Sequence, residues 1–593
     1  MRKSLALSFL LIVVLSLSAQ TAMTNIVGRK QVSLNGKWDA IVDMFSNGQS
    51  KKIYQNRKPE TNAQFVEYSF GNGLRLDVPG DWNSQSPELK YYESSVWYKR
   101  DFDCAKIAGK RYFIHFGAVN YLAKVYLNGQ KIGEHEGGFT PFQFEITDKV
   151  KAGNNFVALE VNSARKKEQI PTLIYDWWNY GGITRDVSLV ETPAVYIHDY
   201  TLQLSKKIEN KLIAKVKLSG KDKAQKVTVS IPELNIKQEI TTDTTGFGTV
   251  EFTAKPVRWS PENPKLYNVL ISTNQEQIEE KIGFRTIETK GNRILLNGKK
   301  IFLAGINVHD EIAQRQGRAY SSSDAATLMN EAKKLGCNFV RLTHYPASEI
   351  MVHMAEEMGI LLWEEIPTWG PEIDFANPKT KALGEQMIRD MIARDKNRCA
   401  IIFWSVANET KPSVARNAAL TDYFKLCRSL DDTRLITAAF NNTDFDAATN
   451  TVKFSDPLMN LVDVVSINKY FGWYNPWPAA PKAIKWEVCL EKPFLYSEFG
   501  CEALYGQNGS AEVAHSWSEE YQDKLYKDHI EMFDNIPNFC GTTPWVLYDF
   551  KSPYRMHQTN QQEWNRKGII SDKGMYKKAW FVLYDYYTKK LGK

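Results

Sequence analysis

The sequence predicts a three-part chain, two β-rich domains followed by a (β/α)8 barrel. Three observations carry this reading. At 593 residues the chain exceeds one ordinary domain and suits three or four. Residues 32–191 and 195–288 read as short alternating strands broken by Gly, Asn and Pro turns. After the turn LLNGKK (Leu295–Lys300) strands alternate with amphipathic helices, the pattern of a parallel barrel.

The chain opens MRKSLALSFLLIVVLSLSAQTA, which has the form of a secretory signal over residues 1–22. Arg2 and Lys3 are its basic start, and Leu5–Leu17 is an apolar run too short to span a bilayer stably. Small residues at Ser16, Ser18, Ala19 and Ala22 offer cleavage points. No Cys follows the run, so a lipid anchor is not expected. Export to the periplasm or the outside is, with no membrane insertion after signal removal. Without Arg2 and Lys3 the formal charge falls from +7 to +5, too mild a balance to point to nucleic acid. Seven scattered Cys (104, 337, 399, 427, 489, 501 and 540) show neither a disulfide framework nor zinc spacing, and read as small buried apolar residues.

Residues 28–192 form the first expected domain, with stretches such as YFIHFGAVNYLAKVYLNG alternating in strand fashion. Residues 193–288 form the second, where KLIAKVKLSG and KVTVSIPEL suit a sandwich of roughly 100 residues. Residues 289–593 form the third. Its barrel strands are expected at Ile301–Gly305, Phe339–Thr343, Leu361–Glu365, Ile401–Ser405, Leu435–Ala439, Val464–Asn468, Phe494–Ser497 and Thr543–Tyr548. AATLMNEAKKLG, GEQMIRDMIARD and SEEYQDKLYKDHIEMF read as helices between them.

Chemistry on such a barrel belongs at the C-terminal ends of its strands. Strand four ends FWSVANE, which places Asn408 and Glu409 at the mouth, and strand seven ends FLYSEFG, which places Glu498 there. Two carboxyls from different strands are what glycoside hydrolysis needs, one at the anomeric carbon and one to give and take a proton. Arg341, His344, Tyr345, Glu364, Glu365, Asn468, Tyr470 and Trp545 stand at other strand ends and make the cleft polar and aromatic. Sixteen Trp and 28 Tyr supply flat faces that suit sugar rings, although most belong to cores. Near the C-terminus, EWNRKGII (Glu563–Ile570) sets Asn565 and Lys567 on one side of an extended segment. Alone, this stretch reads first as a solvated basic turn and only second as a carboxylate clamp.

SLNGKW, VPGDWN, VWYKRDF, VYLNGQKIGEHEGGFTPF, DWWNYGGITRDV, WSPENPKLY, GFRTIE, LLNGKKIFLAGINVHDE, RLTHYP, WSVANE and YSEFG, in this order, resemble glycoside hydrolase family 2. The resemblance implies a jelly-roll sugar-binding domain, an immunoglobulin-like sandwich and a catalytic TIM barrel. It implies a retaining hydrolase with Glu409 as acid/base, Glu498 as nucleophile, and Asn408 on the sugar 2-hydroxyl. It also implies no organic cofactor. Metal-dependent β-galactosidases of the family carry a Glu-x-His pair after strand three; here the stretch is EEIPTWG, so no catalytic metal is expected. β-Glucuronidases of the family clamp the C6 carboxylate with an Asn-x-Lys motif, which Asn565 and Lys567 match. SINKYFGWY resembles those enzymes too, and suggests Asn468, Tyr470 and Tyr474 at the subsite, with Asp176 and His309 on the 3- and 4-hydroxyls and Trp545 lining the cleft. The expected partner is a carbohydrate with a terminal uronic acid, and the expected assembly a homo-oligomer. Two departures stand out. QTNQQEW precedes the motif, with Gln561 or a neighbour where glucuronidases carry an Arg, and DKNRCA replaces an Asn-His-Pro triplet before strand four. The expected function is a β-glucuronidase. β-Galactosidase and β-galacturonidase are the alternatives, and a non-catalytic carbohydrate-binding protein a remote one.

Overall fold

The alternating stretches of the N-terminal third pair into two facing antiparallel sheets. The computed structural model describes residues 19–61, 63–71, 73–488 and 491–592. Most of the expected signal segment, residues 1–18, and Cys489 lie outside the described residues. Ser95–Cys104 pairs over its whole length with Gly153–Asn162 at the centre of a six-stranded sheet. A five-stranded sheet that includes Lys110–Phe116 and Val187–Pro193 covers it. Trp38, Tyr98, Leu159, Ile114 and Phe142 fill the space between them, as two inward-facing strand faces must. In VYLNGQK, Asn128 and Gly129 both take positive φ (50° and 81°), the two-residue turn that the twist of a hairpin requires. The single turn Ile53–Gln55 packs against Trp97 and Tyr126.

The second domain packs a three-stranded sheet on a four-stranded one. Along Lys211–Ser219 the side chains of Leu212, Ala214, Val216 and Leu218 are buried in strict alternation. DKNRCA is the joint between this domain and the barrel. Arg398, fully buried, pairs with Glu356 (2.8 Å) and with Glu280 of the sandwich. Asn397 accepts from the Leu202 N–H at 3.0 Å, and Lys396 pairs with Asp199.

Eight parallel strands then close a barrel: β1 (Leu303–His309), β2 (Phe339–Thr343), β3 (Leu361–Glu365), β4 (Ile401–Asn408), β5 (Leu435–Phe440), β6 (Val465–Asn468), β7 (Phe494–Glu498) and β8 (Phe539–Thr542). Strand β8 lies earlier than the expected Thr543–Tyr548. Trp545, Val546 and Leu547 are buried as a strand would bury them, but their backbone bonds run to Phe499, Lys567 and Asn307 around the mouth. Strand β1 begins two residues later than expected and carries His309 inside the rim. Helices α1 (Ser322–Lys334), α2 (Glu349–Met358), α3 (Pro378–Asp395), α4 (Val414–Leu430), α5 (Glu519–Phe533) and α6 (Lys578–Leu591) surround the barrel. Ser321 and Asp324 form a reciprocal cap on α1, and Pro378 opens α3 behind the Asn377 cap. A small three-stranded sheet (Thr443–Asp446, Thr451–Phe454 and Lys485–Glu487) occupies the connections flanking β6. The six described Cys are buried.

Candidate active site

The ends of β4 and β7 deliver both glutamates into one cavity of about 350 Å³. Glu409 follows the last residue of β4 with φ at +52°, a backbone region costly for a residue with a Cβ. Its N–H donates to Ala439 of β5 at 2.9 Å, which ties that conformation to the next strand. Asn468 on β6 donates to Glu409 Oε1 at 2.9 Å. Burial, and after it the charge of Glu498, pushes the Glu409 carboxyl up to about 7.

Glu498 Oε1 accepts from Arg341 (2.6 Å) and its Oε2 from the Tyr470 hydroxyl (2.7 Å). Both oxygens are acceptors, the role of an ionised carboxylate. Arg341, from β2 and fully buried, is the hub of the floor. It binds Glu365 with two nitrogens (3.1 and 2.9 Å), reaches Asn408 Oδ1 at 2.8 Å and lies 4.6 Å from the Trp363 ring centre. Burial works against its charge, but Glu365 and Glu498 hold its pKa above the ordinary value. His344 Nδ1 is 2.7 Å from Glu365, and burial followed by Arg341 lowers its pKa to about 3, leaving a neutral ring.

The residues singled out by sequence divide by what they touch. Asn408 Oδ1 accepts from Arg341 and from Asn468 (2.9 Å), and its buried Nδ2 has no partner among the described residues. That amide is therefore a free donor beside Glu409. Asn468 is committed, donating to Asn408 and Glu409 and accepting from Ser497 (2.7 Å). Tyr470, Tyr474 and Trp545 line the cavity. His309 sits behind them, its ring 4.3 Å from Phe550 and 5.3 Å from Trp545, with Nδ1 3.2 Å from the Tyr345 hydroxyl. Glu364 faces away from the cleft and pairs with Arg394 (3.0 Å).

Asp176 reaches in from the first domain and accepts from Ser552 (2.5 Å), Asn565 (3.1 Å) and the Arg555 guanidinium. Burial opposes its charge, yet Arg555 holds the carboxyl below its usual range. Trp564–Asn565 pairs with Phe550–Lys551, and this extended backbone turns Arg566 away to Asp572 (2.7 Å). Lys567 lines the cavity with a fully buried side chain, whose Nζ donates to the Tyr474 hydroxyl (2.6 Å) and stands 3.4 Å from the buried Glu502. Asn565 accepts from the Lys567 N–H at 3.2 Å, so the pair is locked internally. Sequence reasoning did not find Glu502, Arg555 or Trp369. Glu502 lies four residues past Glu498, and Arg555 stands in an irregular loop without periodicity. Gln561 donates to Glu502 at 2.7 Å. Among the described residues no cluster of three or more His, Cys, Asp or Glu is arranged for a metal ion.

Three family models match in register with these domains: the family 2 sugar binding domain over residues 32–193, Glycosyl hydrolases family 2 over 195–285, and the family 2 TIM barrel domain over 287–590. The chain belongs to glycosyl hydrolases family 2. It is accordingly a glycoside hydrolase, built from the three domains of that family. Among family relatives, a protein of Formosa agariphila described as a putative beta-glucuronidase is 28% identical, over 92% of this chain and 72% of the relative. A Streptococcus agalactiae beta-glucuronidase is also 28% identical, over 86% of this chain and 93% of the relative. A solved beta-glucuronidase from an uncultured Clostridium superposes with a TM-score of 0.81 at 26% identity, covering 96% of this chain and all of that one. A family 2 beta-galacturonidase from Eisenbergiella tayi shares the fold, with a TM-score of 0.79 at 24% identity.

Proposed function

We propose that this family 2 hydrolase is a retaining, exo-acting β-glucuronidase. It removes terminal β-D-glucuronosyl residues from oligosaccharides or conjugates. The observation that carries the proposal is that Lys567 lines the same cavity as Glu409 and Glu498, its Nζ bonded to the Tyr474 hydroxyl. The beta-glucuronidase descriptions of several relatives point the same way. A cavity of about 350 Å³ suits a single sugar ring with the leaving group outside.

In this mechanism Glu498, oriented by Arg341 and Tyr470, attacks the anomeric carbon while Glu409 protonates the departing oxygen. Esterification removes the Glu498 charge, which after burial is the largest cause of the raised Glu409 pKa. Glu409 then loses its proton more readily and serves as base for the incoming water. The free amide of Asn408 donates to the sugar 2-hydroxyl.

A second reading, a hydrolase of neutral β-galactosides, is favoured by one observation. Glu502 and Asp176 balance the charges of Lys567 and Arg555, so the subsite has no net charge of its own. The test compares kcat/KM of purified protein on p-nitrophenyl β-glucuronide, β-galacturonide and β-galactoside. A glucuronide preference is expected. Preference for the galacturonide would reassign the 4-hydroxyl configuration, and preference for the galactoside would reduce Lys567 to a structural cation. Residues 1–22 support a further proposal, export to the periplasm or the outside, which N-terminal sequencing of the mature protein tests.

A further inference from the structure

A second cavity, of about 290 Å³, lies on the seam between the first domain and the barrel, and its wall contains neither Glu409 nor Glu498. Val27, His115 and Pro141 line it from the first domain, and Glu349, His353 and Met354 line it from α2. Its polar groups are unspent. His115 is buried on Lys110–Phe116, and its ring makes no hydrogen bond among the described residues. Burial, and after it the charge of Arg29, lowers its pKa to about 4, so the ring is neutral and keeps an acceptor nitrogen. Glu349 opens α2, where the helix end favours negative charge. No Lys or Arg stands within ion-pair distance of its carboxylate among the described residues, and its neighbour is His353 Nε2 at 3.8 Å. Asp390, buried on α3, also lacks an ion-pair partner among the described residues, and lines a small adjoining cavity that shares His115 and Glu349. The two arginines of the wall are already engaged. Arg185 donates to the Phe139 and Pro346 carbonyls (2.6 and 2.7 Å), and Arg394 to Ala347, Glu364 and Asp395 (2.9, 3.0 and 2.7 Å).

We propose that this seam is a binding site for a small primary ammonium ion with an apolar body. The inference is independent of the uronidase reading. An unpaired carboxylate calls for a cation, and two imidazoles, neutral at pH 8, supply acceptors for the N–H groups that the carboxylate leaves over. Ile350 and Met354 give the apolar body a wall, and Val27, an apolar side chain left 80% exposed, extends it. A quaternary ammonium has no N–H to donate and is held by aromatic cages. Here Tyr320 is the one phenol or indole ring among the described lining residues, and the Arg315 guanidinium already covers it at 4.5 Å. An anion would meet the Glu349 charge. A ligand in this place touches the first domain and α2 at once.

The experiment titrates the purified protein at pH 8 with hexylammonium, hexyltrimethylammonium and hexanoate by isothermal calorimetry, and follows hydrolysis of a p-nitrophenyl glycoside at the same ligand concentrations. Hexylammonium is expected to bind about 10-fold or more tightly than either of the others. Glu349→Gln should weaken it about 10-fold, and Met354→Trp, which fills the cavity from α2, should abolish binding. Both variants should hydrolyse the glycoside as wild type does, which also shows that they are folded. Equal affinity for hexylammonium and hexanoate would overturn the proposal, as would the absence of binding up to about 10 mM. Binding that ignores both substitutions and inhibits hydrolysis competitively would place the ammonium beside Glu409 and Glu498 instead, and would overturn it as well.

Discussion

Replacing Glu409 with Gln is expected to make the protein more stable above neutral pH and nearly inactive at once. Burial and the Glu498 charge push this carboxyl from an ordinary value of 4.5 up to about 7. A folded pKa above the unfolded one means that stability is fully present below the unfolded value and is lost as pH rises toward the folded value. The loss is set by the 2.5-unit difference at about 1.4 kcal/mol per unit, roughly 3 kcal/mol by pH 8 and under about 1 kcal/mol at pH 5. Gln keeps the oxygen that accepts from Asn468 and never ionises, so the variant escapes this penalty. The assay is a pair of thermal melts of each protein at pH 5 and pH 8. The variant should melt higher by roughly 2–5 °C at pH 8 and by about 1 °C or less at pH 5. The same gap at both pH values, or a less stable variant at pH 8, would refute the idea that burial and Glu498 hold Glu409 protonated. In the same variant, turnover of an alkyl glycoside should drop by about 10²–10⁴. A p-nitrophenyl glycoside, whose leaving group needs little protonation, should lose less.

Four further outcomes are expected. Lys567→Ala should lower kcat/KM on the glucuronide by about 10²-fold and leave the galactoside unaffected or improved; unchanged glucuronide kinetics would remove the clamp. Tyr470→Phe deletes a 2.7 Å charge-assisted bond to Glu498 and should slow turnover by about 10–100-fold, with the folded fraction checked by circular dichroism. Wild-type kcat/KM should fall through a basic limb near pH 7 as Glu409 ionises, a limb that the Gln variant lacks. Arg398→Met strands Glu356 and Glu280 in the joint between sandwich and barrel. It should cost about 3–5 kcal/mol in denaturant unfolding, while kcat of the folded protein holds.

Periodicity made the architecture legible. The alternation in Lys211–Ser219 and the helical spacing of α1, α3 and α5 are local signals, and the folded chain uses them as they stand. Glu409 and Glu498 were legible because the barrel rule says which end of a strand faces the cleft. Strand β8 was misplaced because PWVLYDF is as apolar as a strand, although its groups wrap the mouth instead of extending the ladder. Arg555 left no trace in the sequence. A lone Arg in an irregular loop acquires meaning only when Asp176, 379 residues away in sequence, lies against it. The roles of Asn468 and Asn565 were equally hidden, because only the bonding pattern shows that both amides face protein groups.

Asp176 belongs by chain to the N-terminal domain and by position to the sugar pocket of the barrel. Heredity therefore acts on the two domains as one unit. A chimera joined at the border near residue 193, with this barrel and the first domain of a relative, inherits half of a recognition site. Such a recombinant keeps Glu409 and Glu498 but faces its substrate with a foreign residue opposite Ser552, Arg555 and Asn565. Under the proposed function, substrate range in this chain is a trait that cannot be passed on with the barrel alone.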